Sequence, residues 1–187
     1  MNKTPPPPPS TTGPLTARAN PSPWVLRYAT LIRAQGPVLD VACGGGRHTW
    51  FFLAQGRPVV AIDRDLSGVA DLLAHPGLEA IEADLEDGRP FPLLGRQFAG
   101  VVCTNYLHRP LLPALVAAVA PGGALLYETF TAGHERLGRP RRPEFLLRPG
   151  ELRAAVAGRL RVAAHEEVLL RRPEPALVQR IAAVRDA

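Results

Sequence analysis

Apolar positions along the chain fall into short runs separated by turn residues, and their spacing alternates between helical and extended periods. Trp24, Val25, Tyr28, Leu31 and Ile32 recur at helical spacing, and Gly36-Pro37 closes that run. Val38–Ala42 reads as a short strand, apolar except at Asp40, and it runs into Cys43-Gly44-Gly45-Gly46. Thr49–Gln55 predicts a helix closed by Gly56. Val59–Ile62 predicts a buried strand with Asp63 at its C-terminal end. Asp65–Ala74 has a helical pattern ended by His75-Pro76-Gly77, and Leu78–Ala83 is a further short strand. Asp84–Gln97 is a turn-rich connection. Phe98–Cys103 predicts a strand, Leu111–Ala120 a helix, Pro121-Gly122-Gly123 a tight turn, and Ala124–Phe130 another strand.

Strands and helices alternating through short connections predict a mainly parallel sheet covered on both faces. A polar, Arg- and Pro-rich stretch follows Phe130 and runs to Arg148. Pro149–Val156 then predicts a helix, and Leu160–Leu170 and Ala176–Val184 a terminal antiparallel hairpin. The expected fold is α/β and Rossmann-like: a doubly wound, mostly parallel seven-stranded sheet ending in an antiparallel hairpin. Residues 1–22 are dominated by Pro, Ser, Thr and Gly and bury too little apolar surface to fold, so they predict a disordered or polyproline II tail. Residues 23–187 are then a single domain.

Composition narrows the class. At 187 residues, with 46% hydrophobic and 21% charged positions, the domain can fold without disulfide or metal staples. Cys43 and Cys103 sit in apolar or glycine-rich runs, as expected of free thiols in a reducing compartment, and no Cys/His spacing suggests zinc. No apolar run reaches the length of about 18 residues needed to span a membrane. The N-terminus lacks the apolar region of a secretory signal, so a cytoplasmic location is expected. The net charge of +5 is concentrated after Glu135, where twelve Arg face six acids. That excess reads either as a coding bias towards Arg or as a cationic region for an anionic partner.

The glycine turn carries the chemistry. In an open α/β sheet, ligands bind beyond the C-terminal strand ends where strand order reverses. Glycines there let main chain approach the ligand without a Cβ in between. Asp40 can accept hydrogen bonds from a cationic ligand or from loop amides. A dinucleotide fingerprint fits poorly, because Thr49 stands where its third glycine should be, and no Gly-Lys-Ser/Thr follows for a phosphate loop.

The register Asp40-x-Ala42-x-Gly44-x-Gly46 resembles motif I of class I S-adenosylmethionine-dependent methyltransferases, with Ala42 in place of the commonest first glycine. The resemblance covers about residues 24–187. It implies S-adenosyl-L-methionine as cofactor, bound by Asp40, Ala42, Cys43, Gly44, Gly46 and Arg47. It further implies Asp63 on the ribose hydroxyls with Arg64 beside it, Asp84 and Leu85 on the adenine, and Asn105 next to the methyl donor. Pro121-Gly122-Gly123 matches the family's turn before the fifth strand. A finer resemblance is to the tellurite-resistance type of small methyltransferase. It rests on the Cys43–His48 loop, the Pro121–Gly123 turn and Phe145-Leu146-Leu147-Arg148-Pro149-Gly150-Glu151-Leu152. Tyr127-Glu128-Thr129-Phe130 and Gly133-His134-Glu135-Arg136 look more like uncharacterised bacterial relatives.

Candidates on the acceptor side are Tyr106, His108 and Arg109, which follow the fourth strand. Tyr106 would wall the methyl site, His108 take a proton and Arg109 orient an anion. The alternative for all three is capping, packing and surface charge. His134 and Arg136 form a second pair. Arg47 is to contact the carboxylate end of the donor or solvent, and His48 to cap or pack. Glu128 either lies near the site or pairs with an Arg of the 131–148 insert. Thr104-Asn105-Tyr106-Leu107 lacks the Asn/Asp-Pro-Pro-Tyr of adenine amino methylation, and no Pro-Cys nucleophile is present for cytosine. A small molecule or oxyanion is therefore the expected acceptor. RNA binding or methylation, a non-catalytic cofactor-binding module, and a nicotinamide oxidoreductase are the alternatives.

Overall fold

The computed structural model describes residues 20–171 and 174–187, so most of the proline-rich tail lies outside the described residues. Seven strands form one sheet: β1 (Val38–Val41), β2 (Val59–Asp63), β3 (Leu78–Glu82), β4 (Phe98–Thr104), β5 (Val119–Phe130), β6 (Arg161–Leu170) and β7 (Ala176–Val184). Their order is β3-β2-β1-β4-β5-β7-β6. Strands β1 to β5 pair in parallel, and β7 runs antiparallel to both β5 and β6. This is the expected sheet, hairpin included. The chain leaves β1 to one side for β2 and returns on the other for β4, so the strand order reverses at the C-terminal ends of β1 and β4.

The central strands are apolar on both faces because both faces are covered. Leu39, Val41, Val60 and Ile62 face a cluster with Leu112, Leu115, Leu152 and Val156. These last belong to helices α3 (Leu112–Ala117) and α4 (Glu151–Val156). Val38, Val59, Ala61 and Val102 face Trp24, Val25 and Phe52 from α1 (Pro23–Tyr28) and α2 (Arg47–Leu53). Burying each such side chain stabilises the fold by about 1.5–3 kcal/mol. Strand alternation puts Asp40 on the face of Val38, beneath α2.

Several elements differ from their sequence reading. Asp65–Ala74 is not an α-helix but a run of 3-10 turns over Leu66–Leu72, capped by Asp65, whose carboxylate accepts from the Ser67 amide. The run lies against the glycine turn: a Cβ on Gly68 would overlap the Gly44 carbonyl and stand 3.0 Å from Gly45 Cα. Pro121-Gly122-Gly123 is not a turn before β5 but an irregularity within it, where the register to β4 jumps from Phe98–Val119 to Gly100–Ala124. The first helix is shorter than its apolar pattern, passing into a 3-10 turn at Ala29–Leu31. Ser22, grouped with the tail by composition, is buried and caps α1, its hydroxyl accepting from the Trp24 amide at 3.1 Å.

Candidate functional site

The turn after β1 is built from unusual backbone. Ala42, Gly44 and Gly46 all have positive φ, at 52°, 51° and 69°. A left-handed conformation strains a residue with a Cβ, which explains two of the three being glycine. A Cβ added to Gly44 or Gly45 would meet nothing within 4 Å, so the space above the turn is open.

Asp63, at the end of β2, reaches across to this turn. Its Oδ2 accepts from the Gly44 amide at 2.8 Å and its Oδ1 from the Asp65 amide at 3.1 Å. Each oxygen keeps a lone pair for a further donor. The carboxylate lines a hollow of about 420 Å³ with Arg64, Asp84, Leu85, Tyr106 and Phe145. Asp84 is fixed by accepting the Glu86 amide at 2.8 Å. A second hollow of about 290 Å³ lies over the turn between Cys43, Gly44, Arg47, Thr104 and Asn105. Arg47 donates to the Thr104 hydroxyl at 3.2 Å and reaches the Asn20 carbonyl at 3.5 Å. Ala42 and Tyr106 border both hollows. A third, also about 290 Å³, adjoins the first through Glu86, Tyr106 and Phe145 and is closed by Leu107, Thr129 and Phe130. Asn105, left-handed at φ 57°, borders the second and third.

Asp40 has no place in the linings of these hollows. It is 2% exposed, and its Oδ2 accepts from the Thr49 amide at 2.8 Å and the Thr49 hydroxyl at 2.6 Å. Its partner is neither a ligand nor a loop amide but Thr49 within α2, so it ties the start of α2 to β1. Burial pushes its carboxyl up to about 7 against the pull of the Thr49 bonds. His48 is buried beside it and lowered to about 3 by burial and then by the Arg47 charge, so its ring is neutral. Its Nε2 accepts from the Ser22 amide at 3.1 Å. Burial first, with the charges of Asp40 and Asp63, pushes the Cys43 thiol up to about 12, which leaves it a poor nucleophile.

Arg109 is bonded within the protein. Its Nε and Nη2 donate to Glu151 at 2.7 and 3.0 Å, and Nη1 and Nη2 donate to the carbonyls of Glu144 and Leu146 at 2.8 and 2.7 Å. It clasps the segment carrying Phe145. His108 precedes the 3-10 turn Arg109–Leu111 and makes no side-chain capping bond to it. Neither His108 nor Arg109 is among the residues lining the three hollows. Tyr106 does border all three hollows, and its hydroxyl is buried.

His134, of the second pair, is bonded at both ring nitrogens. His134 Nδ1 accepts from the Leu177 amide at 3.3 Å, which leaves Nε2 to donate to the Arg139 carbonyl at 2.8 Å. Its ring stacks on Phe130, with centroids 4.3 Å apart. Glu128 is 6% exposed and pairs not with the insert but with Arg180 at 3.2 Å and the Ser22 hydroxyl at 2.8 Å. Glu86, Phe145, Phe130 and Thr129 were missed by the sequence reading. Glu86 follows Asp84-Leu85 directly, so proximity to that pair was the one available signal.

No protein-family model matches the sequence, and no curated protein matches it. Solved structures do match. A 1,6-didemethyltoxoflavin-N1-methyltransferase from Burkholderia thailandensis, with bound 1,6-didemethyltoxoflavin and S-adenosylhomocysteine, superposes with a TM-score of 0.66 at 19% identity, over 89% of this chain and 78% of that one. An S-adenosylmethionine-dependent methyltransferase from Methanosarcina mazei gives 0.64 at 15%, over 90% of this chain and all of the other. The chain has the class I methyltransferase fold. TehB from Haemophilus influenzae gives 0.65 at 17%, over 85% of this chain, which spans only 60% of TehB.

The residues present in this methyltransferase fold suit an adenosyl sulfonium compound. Open space above Gly44 and Gly45 admits a ligand against main chain. The free lone pairs of Asp63 suit a vicinal diol, and Asp84 with Leu85 offers an acceptor beside an apolar wall. Among the described residues no group of three or more His, Cys, Asp or Glu could hold a metal ion, and no helix is long and apolar enough to cross a membrane.

Proposed function

We propose that the chain transfers a methyl group from S-adenosyl-L-methionine to a small-molecule acceptor. The observation that carries this reading is Asp63, bonded to the Gly44 amide and lining the first hollow opposite Asp84 and Leu85. Asp63 would receive the two ribose hydroxyls, with Arg64 at the rim. Asp84 would accept from the adenine amino group and Leu85 would pack on its ring. The Ala42–Gly46 turn and Arg47 would receive the amino-acid end in the second hollow. Asn105 and Tyr106 stand where the hollows meet, and the third hollow is the acceptor's.

When bound, the cofactor supplies a methyl group on a sulfonium already activated for displacement. The protein's work is then alignment and exclusion of water. Holding two reactants in attack geometry contributes about 7–11 kcal/mol in favourable cases. Phe145, held down by the Arg109 clasp, covers both the first and third hollows and would shield the reacting atoms.

The test is incubation with methyl-labelled S-adenosylmethionine and fractionated metabolite pools. Label entering a small-molecule fraction with S-adenosylhomocysteine formed in equal amount is the expected result. Label entering only RNA, or no S-adenosylhomocysteine from any pool, would contradict it.

A further inference from the structure

The third hollow differs in character from the two beside it. Arg64 borders the first and Arg47 the second, but the residues lining the third include no cationic side chain. Its walls are the rings of Tyr106, Phe130 and Phe145, and its single charge is the carboxylate of Glu86. Two arginines near it have acidic partners: Arg109 is held by Glu151, and Arg142 pairs with Glu144 while lying over the Phe145 ring, 5.4 Å from its centroid. Phe130 is locked in place by its stack on His134, itself bonded at both ring nitrogens. Tyr106 lines this hollow and the two beside it, and its buried hydroxyl interacts with the Glu86 carboxylate.

Resting on the methyltransferase reading above, we propose that the methyl acceptor is an alkylamine bearing an aromatic ring, recognised as its ammonium form by Glu86 and stacked between Phe130 and Phe145. Aromatic faces attract cations through their quadrupole, and a carboxylate adds a charge-assisted hydrogen bond. An anionic acceptor would meet only the carboxylate and the negative ring faces there. Burial first, and then the charge of Glu86 and a hydrogen bond to it, raise the Tyr106 phenol well above its ordinary range, so it stays protonated beside the carboxylate.

The reaction balances with these groups. The Glu86 carboxylate takes one proton from the ammonium, exposing the nitrogen lone pair. That pair forms the new N–C bond while the C–S bond breaks, its electrons staying on sulfur. The product leaves as a methylammonium, and Glu86 returns its proton to water.

The probes are 2-phenylethylamine, 2-phenylethanol and phenylacetate, one ring bearing a cation, a neutral group or an anion. Each is titrated calorimetrically into protein saturated with S-adenosylhomocysteine, for the natural chain and for Glu86→Gln. Glu86 is an exposed position, so the substitution leaves the fold intact. The amine is expected to bind about tenfold more tightly than the acid in the natural chain, the lower end of what one charged hydrogen bond contributes, and Glu86→Gln to bring the two to within about threefold. Binding of the acid as tightly as the amine, an unchanged preference in Glu86→Gln, or binding of none of the three would overturn the assignment while leaving cofactor binding standing. Failure of S-adenosylhomocysteine to saturate the natural chain would overturn the methyltransferase reading, and this one with it.

Discussion

Arg109 and Glu151, 42 residues apart, form a two-pronged ion pair with Nε–Oε1 at 2.7 Å and Nη2–Oε2 at 3.0 Å. Two further Arg109 bonds, to the Glu144 and Leu146 carbonyls, extend the pair into a clasp on the segment that carries Phe145. Burial acts to raise the Glu151 carboxyl, but the Arg109 bonds and the Arg148 amide outweigh it and hold the group below its usual range.

The clasp predicts a stability loss. Arg109→Ala should lower unfolding free energy by about 1–3 kcal/mol, the scale of lost charged hydrogen bonds in a partly buried pair. Glu151→Gln should show the same direction, and the double variant less than the sum, since the two residues act on one contact. Urea unfolding of the three variants checks this. Strict additivity would place the stabilising partner of Arg109 elsewhere.

Tyr106→Phe should behave in the opposite way. Removing this buried hydroxyl leaves no buried partner unpaired, since Glu86 is exposed, so the free protein should keep its stability or gain about 1 kcal/mol. Methyl transfer should fall at the same time, because the phenol acts on Glu86, the one carboxylate of the third hollow. Thermal unfolding beside turnover reads both. A clear loss of stability would mean that the hydroxyl has a structural partner.

Asp40 predicts a pH dependence. Its ordinary value of 3.8 is raised to about 7 by burial. Between those values the folded chain keeps a proton that the unfolded chain releases. The contribution of Asp40 is therefore fully present below about pH 4, declines as pH rises to about 7, and is level above that. Asp40→Asn keeps an acceptor for the Thr49 amide and removes the titration. Relative to this variant, the natural chain should lose stability on the order of a few kcal/mol between pH 4 and 7. Parallel melting curves across that interval would contradict it.

What could be read from the sequence followed from locality. The strands were legible because both faces of the sheet are covered, which leaves unbroken apolar runs such as Val59–Ile62. Asp63 was legible because the end of a buried strand fixes where its side chain emerges. The partners of Arg109 and Glu128 were not legible because Glu151 and Arg180 are 42 and 52 residues away. Asp40 was ambiguous until strand parity placed it under α2. The helical pattern of Asp65–Ala74 was overridden by a tertiary contact, the approach of Gly68 to the Gly44 carbonyl, which no local periodicity encodes.

The central claim is that the carboxylate at the end of β2 holds the sugar of an adenosyl ligand. Calorimetric titration of S-adenosylhomocysteine into the natural chain and into Asp63→Ala tests it directly. The account predicts saturable one-to-one binding to the natural chain, weakened by about 1–3 kcal/mol in the variant. Equal affinity in the two proteins, or no heat of binding from the folded natural chain, would contradict it.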